Sequence, residues 1–215
     1  MPSDYFTRYE ALLAEVKAFN GEQLDEHGIT PQGVGWNSVE AQVVRFDQVL
    51  KVLPACTESV VSLNDIGCGY GALLDYLAER GQSVDYRGFE VSERTLARAK
   101  SLHVESPTCS FKPLEELSPA DYSVASGIFG LSFSHSDEAW HRYVLDTLDL
   151  FDQNSSKGFA FNMLTSYSDE DKKRSELHYA DPCVIFDLCK RKFSRNVALY
   201  HDYSLFDFTI VVRKA

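Results

Sequence analysis

Two hydrophobic periods alternate along this chain. Near the N-terminus the spacing is helical: Phe6, Tyr9, Leu12, Leu13 and Val16 share one face over residues 4–19, with Ser3 or Asp4 as the N-cap. Residues 20–37 lose that period and turn polar and glycine-rich, which predicts a loop carrying one large aromatic, Trp36. Ser38 then caps a second helix, whose Val39, Gln42, Val43, Phe46, Val49, Leu50 and Leu53 lead to a stop at Pro54.

From residue 59 short apolar runs alternate with amphipathic ones. A β-branched run ending at Ile66 predicts a buried parallel strand, and Leu73, Leu74 and Leu77 predict the helix after it. Further strands are expected over residues 83–90, 109–112, 121–129 (the strand with its mouth) and 158–164. Between them fall helices over 93–105 and from a Ser136 or Asp137 cap to Phe151, and a last one starting at Pro182. Residues 165–176 are polar and without period, a long surface loop or lid. Residues 196–203 and 206–212 read as a hairpin turning near Ser204. The whole predicts an α/β fold: a mostly parallel seven-stranded sheet ending in an antiparallel hairpin. Residues 1–54 form a helical cap of the same domain, and 55–215 its core.

Composition narrows the partners. Asp and Glu total 32 against 21 Lys and Arg, a net charge of −11 that repels phosphate backbones and makes nucleic acid a poor substrate. The densest basic run, Lys190-Arg191-Lys192, fits a helix C-terminus. Small metabolites or a basic protein partner fit better. Five cysteines without C-x-x-C spacing (Cys56, Cys68, Cys109, Cys183, Cys189) read as reduced thiols. With no signal-peptide core and no membrane-length apolar run, the expectation is a soluble, cytoplasmic protein.

The chemistry gathers at residues 59–77. Gly67, Gly69 and Gly71 stand between strand and helix, where a side chain would block a tight turn or a ligand lying on the backbone. Gly67-x-Gly69-x-x-Ala72 fits a loose dinucleotide fingerprint. Asp65 argues against that ligand, because a pyrophosphate beside a helix N-terminus has no use for a carboxylate. An acidic strand end suits a cation, and S-adenosylmethionine carries an ammonium and a sulfonium with no phosphate. Asp65-Ile66-Gly67-Cys68-Gly69-Tyr70-Gly71 resembles the D-x-G-x-G-x-G motif of class I S-adenosylmethionine-dependent methyltransferases of the small-molecule type, and the core resemblance runs from about Val60 to the C-terminus.

The resemblance implies a Rossmann-like three-layer sandwich and S-adenosylmethionine as cofactor. It implies cofactor contacts from Asp65, Gly67, Cys68, Gly69 and Gly71. Glu90 ends the second strand, where an acidic side chain accepts both ribose hydroxyls in this superfold; the alternative is a cap or surface acid. Leu114 and Glu115 follow the third strand, where the family cradles adenine; the alternative is a plain loop. Ser126, Gly127 and Ile128, beyond the fourth strand, fall near the methyl group and the methionine amine. The N-terminal helices are expected to lie over the cofactor, with Tyr5 or Tyr9 as a wall.

Methyl transfer from a sulfonium needs alignment above all, and one base helps where the acceptor is a hydroxyl or an amine. His135 and His178 are the candidate bases, with an ordinary surface histidine as the alternative reading of each. Trp36 with Asn37, Arg45 and Tyr179 are candidate cofactor or substrate contacts, Arg45 toward a carboxylate; otherwise Trp36 anchors a loop and Arg45 is a surface cation. Clustered Asp and Asn at the fourth and fifth strand ends are lacking, so no metal is expected. The expected activity is transfer to a small-molecule acceptor by direct displacement. The alternatives are a non-catalytic S-adenosylmethionine-binding partner and an NAD-dependent oxidoreductase.

Overall fold

The computed structural model describes residues 2–36, 38–55, 59–104 and 109–214, with side chains from Asp4 onward. Asn37, Cys56 and a helix end at Glu105 lie outside the described residues. Seven strands form one sheet: β1 (Ser62–Ile66), β2 (Asp85–Glu90), β3 (Cys109–Pro113), β4 (Ala120–Ala125), β5 (Ser155–Leu164), β6 (Asn196–Tyr200) and β7 (Asp207–Arg213). Their order is β3-β2-β1-β4-β5-β7-β6. All neighbours are parallel except those of β7, which runs antiparallel to both β5 and β6. The order reverses at β1 and β4, and in such sheets ligands bind beyond the carboxyl ends of the strands at that point.

Helices cover both faces. Among the described residues these are α1 (Pro2–Arg8), α2 (Glu10–His27), α3 (Val39–Val49), α4 (Ala72–Glu79), α5 (Glu93–Leu102), α6 (Asp137–Gln153) and α7 (Pro182–Lys192). One core joins Tyr5, Leu12 and Leu13 to α6, α7 and the Phe89, Phe159, Phe161 and Ile210 face. The other joins α3, α4 and α5 to Leu63, Tyr86, Val124, Ala160 and Val211. The alternation of those strand residues is what a doubly covered sheet requires. Ser38, Ser136 and Asp181 cap α3, α6 and α7 through their side chains, and Lys190-Arg191-Lys192 closes α7.

Two N-terminal expectations are corrected. The first helix is two helices, broken at Tyr9 (φ −107, ψ 18), and Ser3 and Asp4 lie in the first turn of α1 rather than at its cap. The loop expected from residue 20 begins later, because α2 runs on to His27 and stops at Gly28, whose φ is 65°. Glu22, Gln23, Leu24, Asp25 and Glu26 are compatible with a helix, so their polarity marks a solvated face and not a break. This extension carries α2 across the strand ends. Leu12 and Leu13 pack in the α6 core, while Asp25 pairs with Arg94 of α5 on the other side of the sheet.

Residues 165–176 are more firmly built than a free surface loop. Thr165 and Ser168 are buried. The Ser166 N–H donates to the Ala180 carbonyl (2.8 Å), and the Glu176 carbonyl accepts from Ser132 N–H and Phe133 N–H (3.1 and 3.2 Å). No helix among the described residues is long and apolar enough to cross a membrane.

Candidate active site

A cavity of about 860 Å³ opens where the strand order reverses. Its floor is the sequence Asp65 to Tyr70, Glu90, the Ser126–Gly127–Ile128 mouth of β4, and Asn162 to Leu164 of β5. Leu13, Val16, Phe19 and Asn20 of α2 close it from above, with Val34, Gly35 and Trp36. Gln42, Arg45 and Phe46 of α3 form one wall, and Ser168, Lys172, Arg174, Leu177 and Tyr179 another.

The glycine turn is shaped by contact on both sides. Gly67 and Gly69 have φ of 75° and 58°, a region that other residues avoid. A Cβ on Gly67 would come within 2.4 Å of Ile128, and one on Gly69 within 2.9 Å of Val34. Gly127 is constrained in the same way: φ is 87°, and a Cβ would meet the Trp36 ring at 2.4 Å. The loop, the β4 mouth and the Trp36 segment are therefore one interlocked surface.

Two carboxylates serve this turn. Glu90 is almost wholly buried, and it accepts from three backbone N–H groups: Gly69 on Oε2 (3.1 Å), Val91 and Ser92 on Oε1 (2.9 Å each). Asn20 Nδ2 stands 3.5 Å from the same Oε1. Burial raises its pKa, and those backbone N–H groups pull it back. Asp65, at the end of β1, accepts from the Tyr86 hydroxyl at 2.6 Å. Burial pushes its carboxyl up to about 7, against the Tyr86 hydrogen bond and with the repulsion of Glu90.

On the far side of β4 the polar groups differ. The Asn162 Oδ1 accepts from Gly127 N–H at 2.8 Å, fixing the mouth of β4. Arg45 is buried, and its Nη2 donates to Asp207 Oδ2 at 2.5 Å while Nη1 donates to the Ala41 carbonyl at 3.0 Å. Its guanidinium carbon lies 4.3 Å from the centre of the Trp36 ring. Burial raises the Asp207 pKa, and Arg45 and then His201 counter it.

The candidate residues divide accordingly. Asp65, Gly67, Cys68, Gly69, Glu90, Leu114, Ser126, Gly127 and Ile128 all line the cavity, as do Trp36, Arg45 and Tyr179. Gly71 is not among the lining residues: it is the N-cap of α4, in the left-handed conformation, and packs against His103 and Phe111. Glu115 is exposed and faces a separate cavity of about 360 Å³. Neither histidine lines the large cavity. His135 Nε2 is buried and lies 3.4 Å from Glu15 of α2. His178 packs its ring 6.2 Å from Trp140, and burial holds its pKa below the usual value. Their loops do border the site, but neither side chain is among the residues that line it. Arg45 is a buried ion-pair partner and not a surface cation. Tyr5 lines the cavity and Tyr9 does not; its hydroxyl donates to Asp146.

Asn20 and Asp207 were not singled out by the sequence, and Asn162 was weighed only as a lone amide in the fifth strand, too little for a metal site. Asn162 left a trace, a lone amide within the apolar run Phe159-Ala160-Phe161 to Met163-Leu164. Asp207 left none, since an acid beside a predicted turn is ordinary.

The sheet order, the antiparallel β7 and the acidic glycine turn at the switch point define the class I methyltransferase fold. No family model matches the chain. It is 52% identical over 159 residues to "Putative methyltransferase Rv1506c" of Mycobacterium tuberculosis, covering 72% of this chain and 93% of that protein. The chain belongs to the methyltransferase family. Solved structures agree on the fold. Haemonchus contortus phosphoethanolamine N-methyltransferase 1, in complex with phosphoethanolamine and S-adenosylhomocysteine, matches with a TM-score of 0.65 at 13% identity, over 96% of this chain and 49% of its own. The DhpI complex with S-adenosylhomocysteine matches with a TM-score of 0.56 at 11% identity, over 96% of both chains. Magnesium protoporphyrin IX methyltransferase from Synechocystis PCC 6803, with S-adenosylhomocysteine bound, matches at 0.53 and 12% identity, over 99% and 86%. The oxidoreductase alternative falls with the family assignment.

Proposed function

We propose that the chain transfers a methyl group from S-adenosylmethionine to a small molecule. The observation that carries this reading is the pair of buried carboxylates, Asp65 and Glu90, on a glycine turn with no Lys or Arg among the described lining residues of that half. A pyrophosphate would meet two anions there, whereas an ammonium and two ribose hydroxyls meet acceptors. S-Adenosylmethionine, when bound, supplies an electrophilic methyl on a sulfonium. Asp65 would face the ammonium, Glu90 the ribose hydroxyls and Leu114 the adenine. Ser126, Gly127 and Ile128 would border the reacting methyl, with the Asn162–Gly127 hydrogen bond holding that mouth in place. α2 and residues 165–179 border a cavity of about 860 Å³, room for the cofactor and a small acceptor.

Residues 1–54 act in this reading as a cap of one domain and not as a separate unit, since Tyr5 and Phe46 belong to the two cores. The net charge of −11 favours small-molecule acceptors over nucleic acid, and we assign the protein to the cytoplasm. Incubation with S-adenosylmethionine labelled on the methyl group and fractionated cell metabolites tests the activity. Label is expected in a low-molecular-weight fraction. Binding of S-adenosylhomocysteine with label in no fraction would point instead to a non-catalytic binding protein.

A further inference from the structure

Beyond β4 the cavity is walled by apolar side chains, among them Trp36, Met163, Leu164 and Phe206, by the cations Arg45, Lys172 and Arg174, and by one described acidic side chain, Asp207. Asp207 opens β7, opposite Leu164 at the end of β5. It shares the α3 face of the sheet with Val211 and Thr209, and Arg45 reaches down from α3 to take its Oδ2. It is 3% exposed, and no hydrogen bond among the described residues occupies its Oδ1. Several other polar groups on this side are committed, Lys172 to Asp171 and Arg174 to Glu176 among them. The Asn162 amide holds the β4 mouth, the Ser168 hydroxyl donates to the Thr165 carbonyl at 2.7 Å, and the Tyr179 hydroxyl accepts from the Arg174 N–H at 3.0 Å.

We propose that Asp207 receives the proton of the methyl acceptor, and that this half of the cavity takes a neutral, apolar-bodied molecule whose nucleophile is a hydroxyl or an uncharged amine. The proposal rests on the methyltransferase reading. A carboxylate oxygen only accepts, so a ligand atom meeting Oδ1 must carry hydrogen. Arg45 is paired with Asp207, and Lys172 and Arg174 are paired with Asp171 and Glu176, so each cation lining this side already has its counter-ion and none is left for an anionic acceptor, while a protonated amine has no lone pair to attack with. In the step itself a lone pair on the acceptor oxygen or nitrogen forms the bond to the methyl carbon. The carbon–sulfur bond breaks with its electrons going to sulfur. The proton leaves the acceptor for Asp207 Oδ1 and passes from there to water. Arg45 is a positioning residue, holding Oδ2 so that Oδ1 faces the cavity.

Calorimetry on protein saturated with S-adenosylhomocysteine tests this without knowledge of the natural acceptor. The probes are 1-naphthol and its methyl ether, 1-methoxynaphthalene, which have the same rings but only one O–H. Wild-type protein is expected to bind the naphthol about tenfold more tightly, the worth of one hydrogen bond to a charged acceptor. Asp207→Asn should cut that preference by about threefold or more, and leave S-adenosylhomocysteine affinity unchanged. The double variant Arg45→Met with Asp207→Leu removes both charges together, so neither is stranded, and it should bind the two probes equally. Equal binding of the probes by the wild type, failure to bind the naphthol, or an undiminished preference in Asp207→Asn overturns the proposal. Failure of S-adenosylhomocysteine itself to bind would instead overturn the methyltransferase reading beneath it.

Discussion

The two halves of the cavity hold their carboxylates by different means. On the β1–β2 side Glu90 is clasped by backbone N–H groups of Gly69, Val91 and Ser92, all within about two dozen residues of it in sequence. On the β5–β7 side Asp207 is held by the side chain of Arg45, 162 positions away along the chain. A backbone clasp survives most substitutions around it, because every residue but proline brings the same N–H. An ion pair between remote side chains depends on both identities at once.

The largest effect expected from that difference is on stability. Arg45→Ala strands a buried carboxylate, and chemical denaturation should show a loss of about 3–5 kcal/mol. The Arg45→Met, Asp207→Leu double variant should regain most of it. A single variant as stable as wild type would erase the contrast between the halves.

Next comes Glu90→Ala. It removes an acceptor from three backbone N–H groups and, on the proposed reading, from the ribose, so S-adenosylhomocysteine affinity should fall about ten- to a hundredfold, with some loss of thermal stability. Glu90→Gln keeps one acceptor oxygen and should lose less. Unchanged affinity in a titration of Glu90→Ala would remove Glu90 from the ribose site.

Asp65 gives a subtler signature, with opposite signs for stability and binding. Its folded pKa, about 7, lies above that of an unfolded carboxyl. Between those two values the folded chain holds a proton that the unfolded chain has lost, so stability falls as pH rises through that window. Asp65→Asn should therefore raise the melting temperature of the ligand-free protein at pH above about 7. Pairing with an ammonium needs the ionised form, so wild-type affinity for S-adenosylhomocysteine should weaken as pH drops below about 7, and the Asn variant should bind weakly without that dependence. A variant that binds as well as wild type would break the assignment. The smallest effect is expected from the histidines: His135→Ala and His178→Ala, measured separately, should change S-adenosylhomocysteine affinity by less than about twofold, since neither side chain lines the cavity.

What could be read from the sequence follows the same division. The strand, glycine turn and helix around Gly67 to Gly71 are a contiguous string whose chemistry is local, so Asp65 and the turn stand out. Glu90 was readable because its distance from the turn is set by one strand–helix–strand unit. Arg45 and Asp207 are joined only by folding, and Trp36 meets Gly127 only because α2 and α3 sit across the strand ends. Neither histidine lines the cavity, because a loop position says which region a residue borders and not where its side chain packs. The polar end of α2 misled because a solvated helical turn and a loop have the same composition.

The central claim is that the β1–β2 half of this cavity is built for a cationic, phosphate-free nucleoside. Calorimetric titration of the wild-type chain with S-adenosylhomocysteine and, separately, with NAD tests it most directly. The account predicts saturable binding of S-adenosylhomocysteine at one site per chain and no heat from NAD. Saturable NAD binding with no S-adenosylhomocysteine binding would contradict it.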